Sequence, residues 1–397
     1  MVKRRPVFQK LPENYLFPEI QRRKNLFLEE NPTTSLISLG IGDTVKPLPS
    51  YIARQMERAA AALATTEGYH GYGKEQGLEA LCKKICDRFY PNQIDPSEVF
   101  ISDGAKCDIG RLQMLFGGQA KVAVQDPAYP VYLEGSILQG GETLTFMPCL
   151  PETNFFPDFR ELPPHDLIYI CHPNNPIGHA YTHEQLAKLV DYALEHHAII
   201  IFDVAYASFI TDPSLPKTIY EIPGAEKVAI EVGSFSKMAG FSGVRLGWTV
   251  VPKALKYDEG DLVWNDWMRQ STTIYNGTSF VVQQAGIAAL EEEGWKEVQA
   301  ILDIYRANAQ KLLTAFKQLG HSVYGGKNAP YLWVEFPGRD SWDVFQEFLE
   351  ERNLIVTPGK GFGPSGEHFI RLSAFAHEEQ IDAAISVLQS GGVSLTT

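Results

Sequence analysis

One lysine in this sequence stands beside groups that could assist covalent chemistry. Lys237 follows two serines, Ser234 and Ser236, and precedes Arg245 by eight positions. The run before it, residues 228–232, is apolar and β-branched, which predicts a short buried strand ending near the lysine. A lysine amine condenses with aldehydes, and hydroxyls together with a guanidinium hold a phosphate. The alternative is a solvated lysine in a loop rich in serine and glycine.

Other polar residues follow short apolar runs elsewhere in the chain. Gly104 opens a predicted helix whose first N–H groups suit a phosphate. Asp203 ends a very apolar run, and a protonated pyridine nitrogen would stabilise its buried carboxylate by about 1.5–3 kcal/mol. Residues that could hydrogen-bond or stack on the same ring are Asn175, Tyr206 and Tyr129. Each residue alone could be a cap, turn or core residue, but their joint order favours a phosphorylated pyridine cofactor.

The elements between residues 78 and 250 are predicted to hold these side chains together. Helical patterns alternate there with short apolar runs, which is typical of a largely parallel sheet covered on both faces. The predicted strands cover residues 98–101, 121–125, 166–171, 198–202 and 228–232. Because ligands bind at the carboxyl ends of such strands, the polar residues that follow them should converge at one edge of the sheet.

The last third of the chain indicates a second, smaller α/β domain. Amphipathic helices are predicted over residues 279–293 and 295–319, and strands over residues 331–336 and 369–373. The N-terminal arm should join this domain, because the central sheet leaves both chain ends outside it. The predicted divisions are 1–50 as the arm and part of the small domain, 51–290 as the large cofactor-binding domain, and 291–397 as the small domain.

The composition limits the classes of partner. The chain has 397 residues, 44% of them hydrophobic and 21% charged, with a formal net charge of −13. This charge argues against nucleic acid as a main partner. No apolar run reaches the length of a membrane span. The basic segment 2–6 is followed by polar sequence, where a signal peptide would need an apolar core. We therefore predict a cytoplasmic protein with no membrane partner.

The cysteines do not indicate a metal site. Of the five, only Cys82 and Cys86 lie close together, and no second Cys/His pair at ligand spacing completes a site. Reduced thiols buried as small hydrophobic groups are the expected state. No metal is predicted.

The order of these motifs resembles that of the fold-type I pyridoxal-phosphate-dependent aminotransferases, and the resemblance covers nearly the whole chain. The Ser-x-Ser-Lys and Asn-Pro features are shared widely in that family. Residues 39–44, 102–109 and 236–252 are similar to the members that act on LL-diaminopimelate, and within them the stretch 103–108 is the more specific. The resemblance implies an α/β fold with a large and a small domain, pyridoxal 5'-phosphate as cofactor, and a homodimer with shared active sites.

The resemblance also implies roles for individual residues. Lys237, Asp203 and Tyr206 are implied to be catalytic, and Lys237 to bond to the cofactor. The residues implied to bind the cofactor are Ala105, Lys106, Tyr129, Asn175, Asp203, Tyr206, Ser234, Ser236, Lys237, Arg245 and, from the other subunit, Tyr72. Those implied to bind substrate are Tyr15, Gly42, Glu75, Lys106, Tyr129, Asn175, Asn276 and Arg371. Arg371 matches the family's arginine for the substrate α-carboxylate.

The activity implied is amino transfer between glutamate or 2-oxoglutarate and tetrahydrodipicolinate or LL-diaminopimelate, in lysine and cell-wall diaminopimelate biosynthesis. Two alternatives stay open for the same residues. One is an amino-acid aminotransferase of broader specificity, and the other is a carbon–sulfur lyase that uses the same cofactor and needs no 2-oxo acid. Lys46 stands where the family often has acidic or polar residues, which leaves selectivity for the substrate's distal end open.

Overall fold

The computed structural model of the chain describes residues 2–11, 16–159 and 162–390. Short 3-10 turns join many of its elements. The helices are α1 (Leu16–Glu30), α2 (Ser50–Ala62), α3 (Glu79–Phe89), α4 (Ala105–Phe116), α5 (Val131–Leu138), α6 (His183–His196), α7 (Phe235–Met238), α8 (Val263–Ile274), α9 (Phe280–Leu290), α10 (Glu292–Gln318), α11 (Ser341–Arg352) and α12 (Glu378–Ser390). The strands are β1 (Ile37–Ser38), β2 (Val99–Ser102), β3 (Val122–Asp126), β4 (Leu144–Pro148), β5 (Leu167–Cys171), β6 (Ile199–Asp203), β7 (Ala229–Ser234), β8 (Gly247–Val250), β9 (Val323–Gly325), β10 (Tyr331–Glu335), β11 (Leu354–Ile355), β12 (Thr357–Pro358) and β13 (Phe369–Ser373).

The central sheet has the strand order β2-β8-β7-β6-β5-β3-β4 within the described residues. Strands β7, β6, β5, β3 and β4 pair in parallel, and β8 runs antiparallel to both of its neighbours. The predicted, largely parallel sheet is therefore confirmed. Strands β4 and β8 and helix α8 were not predicted. Only one residue of β4 is buried, and its sequence, Leu-Thr-Phe-Met-Pro, is not a continuous apolar run like those that predicted the other strands.

The middle strands carry the polar residues to one edge of the sheet. β3, β5 and β7 are buried along their whole length, as expected for strands covered by helices on both faces. Cys171 lies opposite Asp203 in the register of β5 and β6, and Asp203 lies opposite Val232 on β7. The ends of three neighbouring strands therefore lie side by side, and Ser234 is the last residue of β7 at this edge.

The two ends of the chain meet in a second region. β10 pairs antiparallel with β9 and β13, β13 also pairs with β12, and β1 from the N-terminal arm pairs in parallel with β11. Leu39 is fully buried in the apolar core of this region. Helix α10 packs Leu302 into the core of the central sheet and Leu312 into the core of the second region. The bounds of the predicted domains stay a prediction.

Two further features concern the described part of the chain. None of its helices is both long and apolar enough to cross a membrane. Its cysteines are unpaired, and its residues contain no group of His, Cys, Asp and Glu side chains arranged to hold a metal ion.

Candidate active site

A cavity of about 190 Å³ lies at the carboxyl ends of β5, β6 and β7. The structure brings to it every residue of a single chain that the sequence marked for the cofactor: Ala105, Lys106, Tyr129, Asn175, Asp203, Tyr206, Ser234, Ser236, Lys237 and Arg245. These residues come from separate segments of the chain, and the strand order alone places them together. Their roles in binding stay a prediction.

Lys237 lies on the short helix α7, directly after β7. The Ser234 hydroxyl begins this helix by accepting a hydrogen bond from the Ser236 backbone N–H at 3.1 Å. The Lys237 Nζ lies 3.2 Å from Asp43 Oδ1 and 3.5 Å from Ser242 Oγ. Burial lowers the pKa of Lys237, and the Asp43 carboxylate opposes this shift. Asp43 was not predicted as a site residue, although it stands in a glycine-containing turn of the arm.

Arg245 forms an anion-binding corner with the start of α4. Its Nη1 donates to the Ser242 carbonyl at 2.9 Å and lies 3.5 Å from Ser236 Oγ. Gly104, directly before α4, has φ +121°, and a Cβ built on it would lie 2.3 Å from Arg245 Nη2. Only glycine permits this approach. The first N–H groups of a helix have no partner within it, so this corner collects several donors suited to a phosphate.

Asp203 is buried without a cation. Its carboxylate accepts hydrogen bonds from the Tyr132 hydroxyl at 2.8 Å and from the Ala205 backbone N–H at 2.9 Å. Burial raises its pKa, and no ion pair with Asp203 forms among the described residues. A carboxylate in this position would be stabilised by a protonated ring nitrogen. Tyr132, which holds Asp203, was missed because a tyrosine at the start of α5 reads as an ordinary core residue.

Arg371 is a buried guanidinium at the side of the cavity, and its side chain is almost fully enclosed. It donates to Asn175 Oδ1 at 2.8 Å and to the Gly40 carbonyl at 2.7 Å. The rings of Tyr331 and Phe362 lie 4.5 and 4.9 Å from its Cζ. Burial lowers the pKa of Arg371, and its Nε has no hydrogen-bond partner. Arg371 forms no ion pair with a carboxylate among the described residues, and an entering carboxylate would supply one.

Gly42 and two tyrosines surround this guanidinium. A Cβ built on Gly42 would lie 2.7 Å from the Tyr331 hydroxyl and 3.4 Å from Arg371 Nη2. The Tyr331 hydroxyl is 3.0 Å from that of Tyr206. Gly42 is thus placed beside Arg371, and any side chain there would collide with the site. Tyr331 was not predicted, since it begins a strand that reads as part of the small-domain core.

Lys106 and Tyr129 lie together on another wall of the cavity. The Lys106 ammonium lies 5.7 Å from the centre of the Tyr129 ring. Tyr129 in turn contacts Tyr132 edge to face, with ring centres 6.1 Å apart. This contact connects the ring predicted to stack on the cofactor with the tyrosine that holds Asp203.

Gly42 and Arg371 lie beside the cavity without lining it, and three further predicted residues do not line it either. Tyr72 is 89% exposed, Asn276 is exposed, and Glu75 is half-buried away from the strand ends. Their loops are neighbours, because a Cβ on Gly277 would lie 3.4 Å from the Lys74 carbonyl oxygen. The structure thus places them together on the surface and apart from Lys237.

Two other sequence observations concern the edge of the site. Tyr15 lies outside the described residues, and its predicted contact with substrate is untested. Lys46, the residue that left the distal specificity open, forms an ion pair with Glu378 at the start of α12. The Lys46 ammonium is therefore paired with a carboxylate of the same chain.

Known proteins similar to this chain were identified by sequence and by structure. The family model described as aminotransferase class I and II matches residues 34–388. The LL-diaminopimelate aminotransferase of Protochlamydia amoebophila is 50% identical over 396 residues, covering 97% of this chain and 96% of that protein. The probable chloroplastic LL-diaminopimelate aminotransferase of Oryza sativa is 49% identical, covering 94% and 82%. The solved structure of L,L-diaminopimelate aminotransferase from Chlamydomonas reinhardtii is 52% identical with a TM-score of 0.94, covering 98% of each chain.

Proposed function

The chain belongs to the class I and II aminotransferases, and we propose that it transfers an amino group between LL-diaminopimelate and 2-oxoglutarate with pyridoxal 5'-phosphate as cofactor. Glutamate and tetrahydrodipicolinate are the partners of the reverse direction. Relatives that match nearly its whole length at about half identity carry this activity in their names. The observation that carries the proposal is the convergence of Lys237, Asp203 and Arg245 on one cavity.

The cavity residues fit this cofactor by their chemistry. Arg245, the serine hydroxyls and the start of α4 suit its phosphate. The buried Asp203 carboxylate suits its protonated ring nitrogen. When bound, pyridoxal phosphate supplies a ring that accepts the electron pair of a broken Cα–H bond. Tyr206 and Asn175 stand beside the same space and are proposed to hydrogen-bond the ring oxygen.

Lys237 is proposed to move the proton in this reaction. Burial lowers the pKa of its amine, which favours the neutral form that accepts a proton from the substrate Cα. Asp43, 3.2 Å from the Lys237 Nζ, holds the amine in the ammonium form that returns the proton. Lys237 is therefore proposed to act as both proton acceptor and proton donor from one position.

Arg371 is proposed to bind the substrate α-carboxylate. The guanidinium is already oriented by the Asn175 side chain and the Gly40 carbonyl. Because this buried guanidinium has no carboxylate partner in the described part of the chain, an entering carboxylate gains a charge-assisted hydrogen bond. Because Gly42 has no side chain, the Tyr331 hydroxyl and the guanidinium can both lie close to the backbone of the arm.

We further propose a homodimer in which Tyr72, Glu75 and Asn276 of one subunit complete the cavity of the other. Tyr69 and Tyr72 are 69% and 89% exposed on the same loop, and large exposed aromatic residues are typical of interfaces. Glu75 would then meet the distal amine of diaminopimelate. The cytoplasmic location stays a prediction.

An assay of amino donors tests this function. LL-diaminopimelate, meso-diaminopimelate, aspartate and cystathionine are compared as donors to 2-oxoglutarate, with glutamate as the measured product. LL-diaminopimelate should have the highest kcat/KM, by about tenfold or more over each other donor. Similar values for all donors would indicate the broader aminotransferase, and release of pyruvate and ammonia from cystathionine without 2-oxoglutarate would indicate the lyase.

A further inference from the structure

A second and larger cavity, of about 460 Å³, lies beside the central sheet. It shares Ser234 with the cavity described above, but Lys237 and Arg371 do not line it. Its volume is within the range of about 300–1,000 Å³ that is typical of small-molecule sites. The function proposed for this chain leaves it without a role.

The floor of this second cavity is rigid and has its hydrogen bonds satisfied. Glu231 is almost fully buried, and its two carboxylate oxygens accept from the Tyr90 hydroxyl at 2.6 Å and the Thr218 hydroxyl at 2.7 Å. The Ile219 backbone N–H donates to the same carboxylate at 3.0 Å, and Trp248 Nε1 donates to the Tyr90 hydroxyl at 2.8 Å. The floor therefore needs no polar partner from an occupant.

Flat aromatic surfaces form one wall. The rings of Phe89 and Trp248 stack with centres 5.2 Å apart and planes 10° apart. Trp295 meets Phe89 at its edge, with ring centres 6.1 Å apart. A wall of this kind favours a flat apolar body, which stacks on ring faces and edges.

Positive charge surrounds the opening. Arg88, Lys217 and Arg306 line the cavity, and Glu231 on the floor is the one carboxylate among its described lining residues. Arg306 pairs with Asp303 at 2.6 Å, whereas Arg88 and Lys217 form no ion pair with a carboxylate in the described part of the chain. Arg88 instead lies 4.7 Å from the Trp295 ring centre. A cationic opening is notable in a chain whose net charge is −13.

We propose that this cavity is a second binding site, for a small organic anion with a flat apolar body. The body lies against Phe89 and Trp295, and the anionic group meets Arg88 and Lys217 at the opening. The site is separate from the one that holds the cofactor, so both can be occupied at once.

The test uses the cofactor-loaded protein, so that the first cavity is filled. The probe is 8-anilinonaphthalene-1-sulfonate, a flat aromatic anion, and N-phenyl-1-naphthylamine serves as its uncharged counterpart. Binding is measured as energy transfer from tryptophan, because Trp248 and Trp295 line the site. Saturable binding of the anion with a stoichiometry of one per chain is expected, with clearly weaker binding of the uncharged probe.

Variants then locate the bound probe. Arg88→Gln with Lys217→Gln should weaken binding of the anion about tenfold and leave the uncharged probe nearly unchanged. Thr211→Phe, at an exposed position of the opening, should weaken both probes. Lys188→Gln is the matched control, since Lys188 lines a different aromatic groove with Phe156 and Tyr192. Because Lys217 and Thr211 are exposed, the single variants Lys217→Gln and Thr211→Phe keep the test valid if Arg88→Gln impairs folding.

Three outcomes would overturn the proposal. The first is unchanged affinity in both the charge variant and Thr211→Phe. The second is equal weakening by Lys188→Gln, which would place the probe in the other groove. The third is equal affinity for the charged and uncharged probes, which would mean that the cations at the opening do not recognise an anion.

Discussion

The cavity at the strand ends and the pair of surface loops at residues 65–77 and 275–279 differ in how complete they are within one chain. Asp203 lines the cavity, and Arg371 donates to the lining residue Asn175; both are buried and hydrogen-bonded within the same chain. On the loops, Tyr72 is 89% exposed. One chain therefore positions the groups proposed to carry out the reaction. The residues proposed to contact the distal end of the substrate do not line that cavity within the same chain. The difference suggests that reaction type and substrate choice have separate structural origins.

The largest effect should come from Lys237. Lys237→Ala should lower kcat by about a thousandfold or more, because both a nucleophile and a proton-transfer group are removed. Lys188→Ala, a surface change on α6, is the control and should leave kcat unchanged. Near-normal turnover by Lys237→Ala, measured in the coupled assay with LL-diaminopimelate, would show that the cavity is not the active site.

Arg371 should have the next largest effect, and it should be independent of the donor. Removing one partner of a buried charge pair costs about 2–5 kcal/mol, so Arg371→Gln should lower kcat/KM by a factor of about thirty or more for LL-diaminopimelate and glutamate alike. Melting temperatures show whether the variant is folded. A loss confined to LL-diaminopimelate would mean that Arg371 reads the distal end instead.

The loops should affect substrate choice rather than chemistry. Glu75→Gln should lower kcat/KM for LL-diaminopimelate more than for glutamate, because only diaminopimelate brings an amine to the distal position. Glu195→Gln, at an exposed position of α6, is a matched control. Equal losses for both donors would indicate that Glu75 supports its loop and does not contact substrate.

Mixing a chain that lacks Lys237 with a chain whose loop is impaired in its use of LL-diaminopimelate tests whether the loops act across subunits. A heterodimer of a Lys237→Ala chain and a Tyr72→Phe/Glu75→Ala chain has one site with every group intact, on a two-fold symmetric argument. A purified heterodimer should therefore regain up to about half of the wild-type activity. A fully active monomer by light scattering would contradict shared sites.

Glu231 should have the smallest effect on catalysis, because its buried carboxyl group changes stability and not the reaction. Burial raises its pKa to about 7 from the usual 4.5, against the hydrogen bonds from Tyr90 and Thr218. Between these values the folded state holds a proton that the unfolded state has released, so the free energy of unfolding falls as pH rises through this window. The total loss is about 3 kcal/mol.

Urea unfolding from pH 4.5 to 8 measures this dependence. Glu231→Gln should flatten the decline in the free energy of unfolding and leave kcat at pH 7 unchanged. An unaltered decline would show that Glu231 is ionised in the folded protein, and a large loss of kcat would connect Glu231 with the reaction.

The sequence predicted the cavity well because of how parallel sheets are built. Residues that follow β5, β6 and β7 must lie side by side once those strands are adjacent, whatever their distance along the chain. Tyr132 and Tyr331 could not be found this way, since each enters the site from an element that reads as core. Asp43 was missed for another reason: only the packing of the arm over α7 brings it to Lys237.

The same reasoning explains what could not be predicted in the fold. Strand β8 carries residues of the Lys237 motif, so its sequence reads as part of a loop, and its antiparallel pairing depends on β2 and β7. The position of the loop around Tyr72 relative to the proposed second subunit is not encoded by any periodicity within the chain. Local pattern thus specifies the sheet edge, whereas Tyr132, Tyr331 and Asp43 reach the site through tertiary packing.

The most direct test of the central claim is to find which side chain carries the cofactor. Reduction of the cofactor-loaded protein with borohydride, followed by proteolysis and mass spectrometry, should place the added mass on Lys237 alone. Lys106 and Lys46 are the internal controls, because Lys106 lines the same cavity and Lys46 lies three residues after Asp43 in the N-terminal arm. Added mass on another lysine, or on none, would contradict the assignment of the strand-end cavity as the active site.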